Sequence, residues 1–282
     1  MSEPIYYTTC DLGRDYGDLL RVVKSRGHLT SPRGQITIEV RPLVLHLPNP
    51  QACVVKRPGF SHALMWLEIM TLLAGEYNPG LLEACSLNAA KLTNAYGAYG
   101  PRIKEQLPEV ETELRRDPDS RRAVVYLGRP DDLRLSRSYD TGLLDAPCTM
   151  AWQFFVRDNA LEMHAFMRSW DLVWGLSYDI PCFVAVQQAV ARALEVELGS
   201  FTHVAGSGHI YEKHFDVPTE VESYRLPCAA ADSICETQAS ASQTLKLIQR
   251  GVSGRWHDFG PIAEARPEWT DAVAALAKKL LH

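Results

Sequence analysis

A chain of 282 residues with 46% hydrophobic and 22% charged residues can bury a substantial core, as one large domain or two small ones. Its net charge of −5 argues against a general nucleic-acid binder, which carries a basic surface. The seven cysteines (Cys10, Cys53, Cys85, Cys148, Cys182, Cys228 and Cys235) are odd in number and scattered, which suits free thiols in a reducing cytoplasm better than a disulfide framework. Met1-Ser2-Glu3-Pro4-Ile5-Tyr6 lacks the basic region and apolar run of a signal peptide. No stretch approaches the roughly 18 uninterrupted apolar residues of a membrane span.

Taken in chain order, Asp15–Ser25 has the apolar spacing of a short amphipathic helix, with Gly27 as its stop. Ser31-Pro32-Arg33-Gly34 is turn chemistry, and Gln35–Leu47 then alternates like a strand. Phe60–Gly75, apolar and free of proline, predicts a buried helix, and Leu81–Leu92 a second one. Arg122–Leu127 reads as a strand. Trp152–Val156 and Leu161–Met167 flank the turn signal Arg157-Asp158-Asn159-Ala160 and predict a hairpin. Asp179–Leu198 predicts a long helix, with Pro181 in its first turn and Gly199 as its stop. Glu268–Leu281 predicts an amphipathic closing helix. Helices mixed with antiparallel strands, without regular alternation, indicate an α+β single domain over 1–282.

The residues that carry chemistry concentrate between Ala146 and Asp179. A lone cysteine is a weak signal, because cysteine is among the most buried residue types. Cys148, however, follows Ala146-Pro147 and precedes a strand with arginines close in sequence, a setting in which a thiolate can act as nucleophile. Arg168-Ser169 after the hairpin fits a phosphate clamp, a planar guanidinium fork with a hydroxyl beside it. Arg121, Arg122 and Arg33 add further cationic groups next to strands and turns; any one alone reads as a solvated arginine. Glu68 is an acid inside a strongly apolar helix, which is costly without a purpose. His203, His209 and His214 do not place two ligands on one helical turn and have no cysteine nearby, so no metal centre is expected.

Together these segments resemble the thymidylate synthase family, from roughly Asp15 to Phe215. The resemblance implies an α+β catalytic domain that forms a sheet-mediated homodimer, with a pyrimidine nucleotide as substrate and 5,10-methylenetetrahydrofolate as one-carbon donor. It implies Cys148 as nucleophile, Glu68 as organiser of water and proton transfers, and Tyr96 near the nucleophile. Arg33, Arg168 and Ser169 would surround the nucleotide phosphate, joined by Arg121 and Arg122 from the partner subunit. Gln153 and Asp171 match positions that contact nucleotide and folate, and Trp174, Gly175 and Tyr178 fall in the folate-binding stretch. His209 and Tyr211, in Gly206-Ser207-Gly208-His209-Ile210-Tyr211, match the pair that holds the sugar 3′-hydroxyl. The chain departs at Ser31-Pro32-Arg33-Gly34, where the family has Asp-Arg-Thr-Gly, and at its end, Lys278-Lys279-Leu280-Leu281-His282, where the synthase has a short apolar tail.

Asp179 carries the most specific expectation. Most of the family has asparagine there, whose amide complements the carbonyl at position 4 and the N–H at position 3 of uracil. Cytosine presents an amino donor at position 4, and an ionised aspartate is acceptor-only. Asp179 therefore points to the cytidylate and deoxycytidylate 5-hydroxymethylase branch, as does Thr149 in place of the usual histidine after the nucleophile. The alternative reading of Asp179 is a cap for the helix that it opens. Arginine outnumbers lysine 21 to 8, the bias of a GC-rich host. That leans the sugar toward ribose, and the product toward nucleoside antibiotic synthesis in place of DNA modification. A uracil methylase on the same fold and a non-catalytic nucleotide-binding homologue remain open alternatives.

Overall fold

The computed structural model describes residues 3–136, 146–253 and 267–280. Helices and mixed sheets share one hydrophobic core, an α+β architecture. Among the described residues no helix is long and apolar enough to cross a membrane.

The principal sheet has six strands in the order β1 (Ile5–Thr8), β4 (Leu43–Leu47), β10 (Glu197–Ala205), β8 (Ala160–Met167), β7 (Thr149–Arg157) and β6 (Val124–Tyr126). β1 runs parallel to β4 and β10 parallel to β8; the other pairs are antiparallel. Alternate residues give the sheet two faces. Leu45, Trp152, Phe154, Met163 and Phe201 point into the core, while Val44, His46, Gln153, His164 and Phe166 stay partly exposed on the other side. Asp158 and Asn159 adopt positive φ, as a two-residue hairpin turn between β7 and β8 requires. A second sheet runs β2 (His28–Thr30), β3 (Thr37–Val40), β11 (Gly208–Tyr211), β9 (Trp170–Asp171). A third pairs β5 (Val54–Lys56) with β12 (Glu222–Tyr224).

Around these lie α1 (Leu12–Arg26), α2 (His62–Ala74), α3 (Pro79–Cys85), α4 (Leu87–Leu92), α5 (Gly100–Ile103) and α6 (Gln106–Arg116). They are followed by α7 (Asp132–Ser136), α8 (Trp174–Leu194), α9 (Ile234–Ser253) and α10 (Thr270–Leu280). The α10 helix realises the predicted closing helix, except that Leu281 falls outside the described residues.

Several elements differ from the sequence expectation, each for a local reason. The α1 helix starts three residues early because the Asp11 side chain accepts the Arg14 N–H. The single strand expected over Gln35–Leu47 is two strands in different sheets, parted at Arg41-Pro42 where proline offers no N–H to a ladder. The helix expected over Leu81–Leu92 breaks at Ser86, an extended residue whose hydroxyl accepts the Ala89 N–H and starts α4.

The largest shift concerns α8. It begins at Trp174 instead of Asp179, so Pro181 lies inside the helix and Asp179 does not cap it. Asp171 supplies the cap: its Oδ1 accepts the N–H groups of Val173 (2.8 Å) and Trp174 (3.2 Å). The helix ends at Leu194 with Glu195 left-handed. Gly199 is therefore no helix stop. A Cβ there would lie 2.8 Å from the Leu161 carbonyl oxygen, so glycine permits close strand approach where the β10–β8 register shifts.

One buried ion pair ties the α5 region to the sheet. Arg102 is almost fully buried and donates to the Tyr96 and Leu127 carbonyls and, through both terminal nitrogens at 2.9 Å, to Asp132. Burial opposes ionisation of Asp132, yet Arg102 and the Arg129 N–H hold its carboxyl down at about 2. Removing one partner of such a pair strands the other charge. Asp132→Ala should cost about 3–5 kcal/mol, read as a lower urea midpoint, whereas a loss below about 1 kcal/mol would class the pair with ordinary surface bridges.

Candidate active site

Cys148 stands just before β7, half-buried at the end of a backbone turn pinned by Arg168. The Arg168 guanidinium donates to the carbonyls of Pro147 (3.0 Å) and Ala146 (2.9 Å), and its backbone N–H donates to the Cys148 carbonyl (2.9 Å). Arg168 is itself exposed, so a cationic fork lies at the surface beside the thiol. Behind Cys148, the Thr149 N–H donates to the Tyr99 hydroxyl at 3.2 Å.

A cavity of about 240 Å³ opens from the thiol into the protein, with Glu68, Tyr99, Cys148, Asp179 and Cys182 in its wall. Within the run 63–70 of α2, Glu68 alone is not fully buried, because it faces this space. Burial, and then the Asp179 charge, push its carboxyl up to about 8. Burial, and then the Asp171 charge, push Asp179 up to about 7. Tyr99 is raised by burial and by the nearby Cys148 and Asp179. Two carboxyl groups that readily hold protons near neutrality thus share a small cavity with a thiol, a combination suited to proton transfer.

The phase of α8 sets this arrangement. Gly175 and Asp179 are one turn apart on the same face. A Cβ on Gly175 would lie 2.9 Å from Asp179 Oδ2, so glycine leaves the space that the carboxylate occupies.

On the second sheet, β11 carries His209 and Tyr211, their rings edge to face at 4.9 Å. His209 sits opposite Asp171 of β9 and is held below its usual range by burial, against the pull of Asp171. Tyr211 is raised by burial and lies within electrostatic reach of Asp171, Arg33 and Cys148. Arg33 occupies a left-handed position, φ 54°, in the turn 32–34. The fold therefore gathers Arg33, Glu68, Cys148, Arg168, Asp171, Asp179, His209 and Tyr211 around one locus. Ser169 follows Arg168 half-buried, and Trp174 and Gly175 start α8 beside it. The Tyr178 hydroxyl accepts the Ser61 N–H at 3.0 Å, and its ring stacks on Phe60 at 5.2 Å.

Four expected residues lie elsewhere in this chain. Tyr96 packs against the Arg102 guanidinium at 4.8 Å and does not line the cavity. Gln153 lies on the outer face of the sheet, its Nε2 donating to the Arg121 carbonyl, because the alternation of β7 turns Trp152 and Phe154 inward. Arg121 and Arg122 are exposed at the start of β6, Arg122 paired with Glu113 at 3.1 Å.

The sequence reading passed over Tyr99, although Ala95-Tyr96-Gly97 and Ala98-Tyr99-Gly100 repeat the same triplet and only the second reaches the thiol. It also passed over Cys182, one turn beyond Asp179, and Arg57. Arg57 is buried, donates from Nε to the Val173 carbonyl (2.6 Å), and lies 4.7 Å over the Trp174 ring with Nη2 lacking an acceptor.

The raised Glu68 carboxyl has a consequence for stability. The folded state keeps this proton where the unfolded chain loses it, so its contribution is full below about 4.5 and is lost as pH rises through about 8. Glu68→Gln should flatten the fall of unfolding free energy across that window by about 1.4 kcal/mol per pH unit, measured by urea denaturation at a series of pH values. An unchanged slope would show Glu68 to be ionised in the fold.

Comparison with known proteins agrees with this geometry. The family model for thymidylate synthase matches residues 82–234, more than half of the chain. A deoxyuridylate hydroxymethyltransferase of Bacillus phage SP01 is 27% identical over 218 residues, covering 70% of this chain and 56% of that protein. The chain thus matches little more than half the length of that relative. With the thiol, the pinned arginine and the matched segment in place, the chain belongs to the thymidylate synthase family.

Proposed function

We propose that this protein acts as a single catalytic domain that hydroxymethylates C5 of a cytosine nucleotide, CMP or dCMP, with 5,10-methylenetetrahydrofolate as one-carbon donor. The observation that carries the reading is the Asp179 carboxylate in the same cavity as Cys148 and Glu68. An ionised carboxylate accepts from the amino group at position 4, and from N3–H once that nitrogen is protonated.

In the mechanism, the Cys148 thiolate adds to C6 and leaves C5 nucleophilic, with Asp179 bonded to the altered base. Arg168 fixes the thiol by holding the carbonyls on its N-terminal side, and its exposed face meets the nucleotide phosphate with Arg33 and Ser169. His209 and Tyr211 address the sugar 3′-hydroxyl. The folate supplies a carbon at the oxidation level of formaldehyde. C5 bonds to that carbon and loses its proton as the carbon–nitrogen bond to the folate breaks and tetrahydrofolate leaves; water then adds to the resulting exocyclic methylene, and the thiolate leaves C6. Glu68, protonated near neutrality, is placed to order that water and relay its proton, with Tyr99 beside the thiol in the role first expected of Tyr96.

The start of α8 fits a flat, hydrogen-bonding heterocycle. Asp171, Trp174, Gly175 and Tyr178 lie there, together with the buried Arg57, whose Nη2 has no acceptor. These residues would hold the folate. We read Arg121 and Arg122 as donated to a partner's phosphate across a homodimer formed by the outer sheet face. Gln153 then supports that pair through the Arg121 carbonyl. The arginine-rich composition leans the sugar toward ribose, and so the product toward specialised nucleoside synthesis in the cytoplasm.

A second reading has its own observation. With Asp179 near 7, a substantial fraction of the carboxyl is protonated at neutral pH, and a protonated carboxyl donates to the position-4 carbonyl of uracil. The phage relative is named for deoxyuridylate.

One assay separates the two: rates and product masses for CMP, dCMP and dUMP with methylenetetrahydrofolate across pH. Cytosine turnover should rise as pH passes upward through about 7, where Asp179 ionises, and uracil turnover should fall. The expected product carries CH₂OH; a CH₃ product, or dUMP as the preferred substrate at every pH, would overturn the cytosine reading. Cys148→Ala should abolish turnover, because the other thiol in the cavity, Cys182, is buried and held protonated by desolvation and by the nearby Glu68 and Asp179. Arg121→Ala with Arg122→Ala should raise KM for the nucleotide in a protein that sediments as a dimer, and a fully active monomer would refute the composite site.

A further inference from the structure

Trp170 is wholly buried in β9, and its indole Nε1 makes no close hydrogen bond, with the Asp179 carboxyl as the acceptor within its reach. A buried N–H held so loosely is uncommon enough to ask what it serves. The ring cannot turn away. The His203 ring stacks on it at 4.0 Å and 25°, itself fully buried with both nitrogens unpartnered, and the Phe183 ring lies parallel to His203 at 6.2 Å. The Trp170 backbone is fixed as well, donating to the Ser207 carbonyl at 2.8 Å.

The free edge of the indole faces Asp179. The same point above Gly175 that lies 2.9 Å from Asp179 Oδ2 lies 3.6 Å from Trp170 Cδ1, the carbon next to Nε1. Across that gap the N–H favours the charged form of Asp179, against burial and against Asp171 of β9. The other titratable groups at the cavity are Glu68 from α2, Glu76 and Tyr77 just past its end, Tyr99, Cys148 and, one turn along α8, Cys182.

We infer that Trp170 is a positioning residue for Asp179: its indole N–H takes one carboxylate oxygen as the base enters, leaving the other to accept from the amino group of cytosine. The inference rests on the base-recognition role proposed for Asp179. It explains how an acceptor-only group can work in a buried cavity, since the indole N–H satisfies one oxygen while the base supplies a donor to the other. A uracil nucleotide, which needs the carboxyl to donate, is disfavoured because the N–H stabilises the form without that proton.

The test uses ¹⁵N-labelled protein and follows the six tryptophan indole N–H resonances with pH. One resonance, absent from Trp170→Phe, should titrate with a midpoint near 7 in the native protein and stop titrating in the isosteric Asp179→Asn. In Trp170→Phe the lower limit of the pH profile for CMP turnover should move up by about one unit, and preference for CMP over dUMP at neutral pH should fall about tenfold. An indole set that does not titrate, or a titration that persists in Asp179→Asn, overturns the inference, and the native and Asp179→Asn arms suffice if Trp170→Phe does not fold. The two claims also fail separately. If Asp179→Asn leaves base preference unchanged, the recognition reading is lost while the indole titration still reports the Trp170–Asp179 contact. If base preference switches but the pH profile of Trp170→Phe is unmoved, only the positioning role is lost.

Discussion

Everything at the cavity depends on where α8 begins. A helix start leaves N–H groups without partners, and here the Asp171 side chain accepts two of them, from Val173 and Trp174. That cap fixes the phase of the following turns. With Trp174 as the first residue, Gly175, Asp179 and Cys182 fall on one face, three to four residues apart, and that face looks into the cavity behind Cys148. A start at Asp179 would have spent its carboxylate on backbone N–H groups. Because Asp171 takes the capping role, Asp179 is free for a ligand.

Asp171 links the two halves of the site as well. It lies beside His209 across the β9–β11 pair, and its charge acts on His209, Tyr211 and Asp179 at once. Its carboxylate accepts two N–H groups of the helix start, while burial drives Glu68 and Asp179 toward protonation. Two acids driven toward protonation, next to a carboxylate engaged by a helix start, combine proton transfer with fixed hydrogen bonding.

Much of this was legible in the sequence, and the gaps have identifiable causes. The fold brings Cys148, Arg168, Asp171 and His209 to the one locus where their local motifs group them. The hairpin turn was readable because Asp-Asn tolerates positive φ. The start of α8 was missed because Pro181 resembles a first-turn proline, and the cap lies three residues before the helix, with Leu172 and Val173 between. Tyr99 was overlooked because two Ala-Tyr-Gly triplets are equivalent as sequence, and only the chain's path past Arg102 decides which faces the thiol. Gln153 was misplaced because motif matching ignores the strict alternation of a strand, which turns it outward between Trp152 and Phe154. The α9 helix was missed because its buried stripe of Ile234, Ala241, Leu245 and Ile248 is interleaved with buried Thr237, Ser240 and Thr244, diluting the apolar period.

That missed helix bears on the chemistry. Both α9 and α10 pack on α2, the helix that carries Glu68, and much of their length lies beyond the segment shared with the family model. Ser242 of α9 donates to Glu76 just past the end of α2, and Lys279 of α10 lies within electrostatic reach of Cys85 and, through it, of the Glu68 side of the core. Desolvation is the largest cause of the raised Glu68 carboxyl. The α2 helix is apolar nearly all round, so it can stay dry only if another element covers the face turned away from α8. The C-terminal helices supply that cover. Residues far from the nucleophile in sequence thereby help to set the proton affinity of a group in its cavity.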